Sequence, residues 1–174
     1  LLTEKKDPNM EIGVWVELAK EQVERVGIQW DGREGYKWDW YVHPGMLMGY
    51  SIPQRKLLID ELMNRFYEVF GYYPKSVGSW LLDSWSIAYM AETYHIDAFI
   101  ICKEQFGTDG YTLWGGYYNQ AYFPSKKNMF IPAQTECEQI HTPVIRMLGP
   151  DPIYQYDFGL DENYEYSHCQ HVMT

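Results

Sequence analysis

Residues 74–102 read PKSVGSWLLDSWSIAYMAETYHIDAFIIC, and this stretch decides the fold. Pro74 opens a short segment, Lys75 to Leu82, that predicts a strand. Asp83 and Ser84 are both helix-capping types, and the residues from about Ser84 to Tyr94 predict a helix. Ala98-Phe99-Ile100-Ile101-Cys102 is continuously apolar, the pattern of a strand buried on both faces. Strand, helix and strand in this order form a βαβ unit, whose strands are parallel.

Upstream, Ser51 can cap a helix with Pro53 in its first turn. Leu57, Leu58, Leu62, Phe66, Val69 and Phe70 recur at helical spacing, and Gly71 ends the pattern. Further back, Glu11 to Leu18 predicts the first strand. Residues 19–50 are a long excursion with Gly27, Gly32, Gly35, Gly45 and Gly49, holding Trp30-Asp31-Gly32 and Trp38-Asp39-Trp40. Long connections in compact domains are usually functional or disordered, and the aromatic content argues against disorder. Downstream, Met129 to Ala133 and Pro143 to Leu148 predict two more strands. The reading divides the chain into a polar lead-in (1–10), an α/β region (11–150) and an acidic, tyrosine-rich tail (151–174).

Composition narrows the function. Net charge is −10, which disfavours nucleic acid as a partner because phosphate binding needs a basic surface. It also disfavours anionic membrane surfaces. No run of about 18 apolar residues is present, so no transmembrane segment is expected. The three cysteines, Cys102, Cys137 and Cys169, have no CxxC spacing. Aromatics make up 17% of the chain, with 16 Tyr and 7 Trp. Such rings serve a core or a stacking surface, and their polar edges suit sugars as ligands.

In parallel α/β folds, functional groups gather beyond the carboxyl ends of the strands. That rule selects Glu17 after the first strand, Trp80 and Asp83 after the second, and Lys103, Glu104 and Gln105 after the third. After the fourth it selects Gln134, Glu136 and Glu138. Asp83, Glu104 and Glu17 are the carboxyl candidates for acid, base or nucleophile, since glycoside cleavage needs two such groups across a sugar-sized gap. Asp83 is equally an N-cap, and Glu104 and Glu17 are equally surface residues. Trp80, Trp114, Trp38 and Tyr111 are candidate stacking rings, with Asp109, Asn119, Gln134 and His43 as hydroxyl partners. The glycine-rich loop 105–120 that supplies several of them is equally a packed Ω-type loop. The five histidines form neither HxxxH nor HExxH, so no metal site is read. His95, at a helix end, suits packing or capping.

Glu11-Ile12-Gly13, the long excursion, the helix ending Phe70-Gly71-Tyr72-Tyr73-Pro74, the Gly78-Ser79-Trp80 strand and the helix before Ile96-Asp97-Ala98 together resemble the glycoside hydrolase/deacetylase superfamily of NodB-like (β/α)-barrels. The resemblance spans roughly residues 11–105. It implies parallel βα units of a partial or distorted (β/α)7–8 TIM-like barrel. A deacetylase of this group holds a divalent metal on a histidine pair after the first matching strand, where this chain has Trp15 and no HxxxH. The carboxylate-based branch therefore fits better: glycoside hydrolysis of an oligo- or polysaccharide without a cofactor. The alternatives are a metal-dependent polysaccharide deacetylase and a non-catalytic sugar-binding module. A complete barrel takes about 250 residues, so a region of a longer protein is expected.

Overall fold

The computed structural model describes residues 10–32, 42–79, 82–102 and 121–147. A five-stranded sheet runs β1 (Val14–Trp15), β2 (Ser76–Ser79), β3 (Ala98–Cys102), β5 (Val144–Met147) and β4 (Ala121–Tyr122) across its width. The first four of these are mutually parallel, and β4 pairs antiparallel on the outer side of β5. Among the described residues four α-helices accompany it: α1 (Lys20–Arg25), α2 (Val42–Gly45), α3 (Ile52–Phe70) and α4 (Ser84–Tyr94). Among the described residues the sheet is open, with β1 and β4 as its edges.

The two long helices begin and end where the sequence says. Ser51 precedes α3, and both its N–H and its hydroxyl donate to Gln54 Oε1, at 3.0 and 2.7 Å. Gly71 closes the helix at φ 77°, a left-handed turn that favours a residue without Cβ. Asp83 caps α4, its Oδ1 accepting from the Ser86 N–H at 3.0 Å. His95 ends α4 in the left-handed region at φ 55°, a capping role. The buried face of α3 is Leu58, Ile59, Met63 and Phe66. Leu57 and Val69, which share the apolar pattern, are exposed instead.

β1, β2 and β3 are adjacent in chain order, so their crossovers step the same way, and right-handed crossovers then stack their helices on one face. The core agrees. Val77, Phe99 and Val144 are register partners across β2, β3 and β5, and they bury completely with Leu58, Met63, Ile87 and Met90. The alternate residues Trp15, Gly78, Ile100 and Ile145 form the next register row on the opposite face. None of them belongs to that core cluster.

Two expectations change. Met129–Ala133 is not a strand: Asn128 Oδ1 accepts from the Phe130 N–H at 2.9 Å, a local turn bond that competes with pairing. Pro132, which has no N–H, makes only an isolated bridge with Pro124. Met129 and Phe130 are nonetheless buried as part of the core. Within 19–50 the chain forms α1 and α2, and Gly27 at φ 76° follows α1. β4 carries no periodic signal, being two residues long. The lead-in to residue 9 and the tail from 148 lie outside the described residues.

Candidate functional site

The carboxyl ends of β1 and β2 are joined by one polar knot. Leu18 N–H donates to Gly45 O at 2.8 Å, which ties the end of β1 to the 42–50 segment. Arg55, in the first turns of α3, reaches three places at once. Its Nε donates to Tyr50 O at 2.6 Å, its Nη2 donates to Met48 O at 3.2 Å, and its Nη1 lies 3.0 Å from Asp83 Oδ1. Tyr50 is buried beneath, its hydroxyl donating to Pro44 O at 2.7 Å. Burial, aided by the negative charge of Asp31, pushes that phenol up to about 12.

Both oxygens of Asp83 are engaged. Oδ1 takes the Ser86 N–H and the Arg55 guanidinium, and Oδ2 takes the Ser86 hydroxyl at 2.6 Å. The carboxylate holds α4 to α3 and to the 48–50 turn. Glu17 stands differently. Burial alternates along β1 and beyond, with Val16 and Leu18 in the core and Trp15 and Glu17 exposed. Glu17 thus shares the side of Trp15, away from the helices. Both carboxylates lie at the same end of adjacent strands, one committed to the scaffold and the other open to solvent.

Gln134 does not follow a strand, because the strand expected before it is a turn. It is exposed, and its Nε2 donates to Pro132 O at 3.0 Å. Glu136 and Glu138 sit in the 3₁₀ turn Glu136–Glu138, where Glu138 accepts from Lys127. His43 lies in α2 beside this knot, and its side chain is outside the described residues. Trp38, Trp80, Glu104, Asp109, Tyr111, Trp114 and Asn119 also lie outside them. Among the described residues no three His, Cys, Asp or Glu side chains converge as metal ligands, and no helix is long and apolar enough to cross a membrane.

Sequence reasoning passed over Trp15 as a surface. Its parallel partner across the ladder is Gly78, and a Cβ at Gly78 would stand 2.6 Å from Trp15 Cε3 and 2.8 Å from Cζ3. The indole therefore lies across the glycine backbone, with the residue 38% exposed. The signal available was the alternation of β1 combined with a glycine inside a strand, which marks a close approach. Gly78→Ala is expected to displace the indole and to cost about 1–3 kcal/mol by overpacking. In a Trp15→Ala background the same change should cost much less. Urea midpoints for the four proteins of that cycle measure the coupling; equal costs in both backgrounds would mean that the two residues do not touch.

No protein-family profile matches the chain, and no curated protein matches it. Among solved structures, a protein of Parabacteroides distasonis provisionally named a glycoside hydrolase/deacetylase aligns with 72% of the chain, at 20% identity and a TM-score of 0.49. The chain spans 31% of that protein's length.

Proposed function

We propose that this chain is a carbohydrate-handling α/β region whose sugar-contacting surface is the side of the sheet that carries Trp15, at the carboxyl end of β1. The observation that carries the reading is Trp15, a part-exposed indole laid over Gly78 with exposed Glu17 two residues further on. An indole fixed against backbone offers a sugar ring a flat apolar face at little entropic cost, and a nearby carboxylate accepts hydroxyl hydrogen bonds or moves a proton. Parallel strands β1, β2 and β3, adjacent in chain order, also suit a strand layer that curls toward a barrel, with its ligands at the strands' carboxyl ends.

Within this reading the chemistry is glycoside hydrolysis, with Glu17 and Glu104 as the carboxyl pair. Asp83 serves this reading by positioning α4, its carboxylate held by Ser86 and Arg55. The test uses a panel of aryl glycosides with calorimetric binding of the matching oligosaccharide. Glu17→Gln is expected to lower turnover by roughly 10²–10⁴-fold, the usual worth of a positioned proton-transfer group, with binding little changed. Trp15→Ala is expected to weaken binding by about tenfold, equivalent to 1.4 kcal/mol. Unchanged turnover in Glu17→Gln would remove that residue from the mechanism. Binding that depends on Trp15 with no turnover in the wild type would leave a sugar-binding module.

A further inference from the structure

We infer that the outer surface of the α3–α4 pair is a second carbohydrate contact, a platform for a neutral polysaccharide chain away from the sheet face. Two exposed rings, Tyr67 and Tyr73, form its outer part, and ring contacts continue from them inward to the buried Tyr94 and the partly buried Tyr89 and Trp85. Tyr67 lies 5.0 Å from Tyr73 between ring centres, Tyr73 is 5.1 Å from Tyr94, Tyr94 is 6.2 Å from Tyr89, and Tyr89 stacks on Trp85 at 5.1 Å with planes 4° apart. The inner members are spoken for: Tyr89 and Tyr94 donate their hydroxyls to Asp60. The outer members are not. Tyr67 is 49% and Tyr73 37% exposed, and among the described residues neither phenol hydroxyl has a partner.

Charge selects the occupant. The ionic groups bordering the strip pair with one another: Arg65 with Glu68, Lys75 with Asp97 at 3.6 Å, and Lys56 with Asp60 at 2.6 Å. No unpaired charge in these couples awaits an ionic ligand, and the net charge of −10 opposes both a second copy of the chain and an anionic polymer. Exposed phenols with unspent hydroxyls, backed by fixed rings, match the alternating C–H and hydroxyl surface of an uncharged sugar chain. The platform shares only its ligand class with the site at Trp15 and Glu17, so either can fail alone.

Mobility of the full chain in native gels containing hydroxyethyl cellulose tests the proposal. Retardation is expected for the wild type and for Trp15→Ala. In Tyr67→Ala/Tyr73→Ala the apparent affinity should fall at least about tenfold. Tyr67→Phe/Tyr73→Phe, which keeps the rings, should lose less. Thermal melts confirm that the variants fold. Absence of retardation, or retardation equal in the double alanine variant, would overturn the platform. A concentration-dependent dimer on size exclusion that the double variant abolishes would also overturn it, assigning the surface to self-association.

Discussion

Phe99→Ala is expected to destabilise the protein by about 3–5 kcal/mol, the usual cost of truncating a fully buried phenylalanine. Phe99 has no exposed surface and sits on β3, the middle strand, between Val77 of β2 and Val144 of β5. Its ring belongs to the cluster that both long helices contribute to. Neighbouring strands are fixed by backbone pairing, so the site cannot collapse around the missing ring, and the cavity adds to the lost transfer free energy. A domain of this size is stable by only about 5–15 kcal/mol, so the variant will have lost a large share of its margin. Urea denaturation with unchanged slope and a lowered midpoint would report it. Val69→Ala, on the exposed side of α3, serves as the control and should move stability by less than about 0.5 kcal/mol. A Phe99→Ala midpoint shift as small as the control's would mean that the core is not centred on β3.

The second large effect concerns Asp60. Its Oδ1 accepts from Tyr89 at 2.6 Å and Tyr94 at 2.5 Å, and its Oδ2 accepts from Lys56 at 2.6 Å. Burial alone would push this carboxyl up, but the hydrogen bonds from Lys56, Tyr89 and Tyr94 outweigh it and hold the group below the ordinary aspartate value of 3.8. Conversely, burial and the bond to Asp60 raise the Tyr94 phenol above its ordinary 10.0. Both signs set the pH window. The Asp60 contribution is fully present above about pH 4 and is lost as pH falls through the depressed value. The Tyr94 contribution is fully present below about pH 10 and is lost as pH rises toward the elevated value. Asp60→Ala leaves two inward-facing phenols without their acceptor, and roughly 2–4 kcal/mol should be lost near neutrality. The variant's stability should also be flatter than the wild type's between pH 4 and 2. A parallel acid limb in both proteins would show that other carboxyl groups carry it.

What the chain discloses by itself is mostly local. Ser51 and Gly71 bracket α3, Asp83 and His95 bracket α4, and the run from Ala98 to Cys102 is β3, because caps and continuous apolar strands are written in neighbouring residues. Which side of α3 is buried was legible at Leu58, Leu62 and Phe66 but not at Leu57 or Val69, since apolar residues outnumber the positions the core can take. Met129 to Ala133 misled because an apolar run does not reveal that an asparagine before it will bond its own backbone. The candidate site divides the same way. The cap at Asp83 was legible in its own neighbours, whereas its ion pair with Arg55, 28 residues earlier, was not. The Asp60 cluster joins residues 29 and 34 apart, and no spacing rule reaches that far. Trp15 over Gly78 is likewise a register effect between segments more than 60 residues apart.

The two outer strands, β1 and β4, are each only two residues long. An open sheet normally invites foreign strands to zip onto its rims and seed aggregates. Here a visiting strand would find two residues of ladder at either rim. Along β1 it would then meet the exposed carboxylates of Glu11 and Glu17, on a protein already strongly anionic. A strand that docks at either described rim therefore gains little ladder and meets like charge, so these edges discourage aggregation.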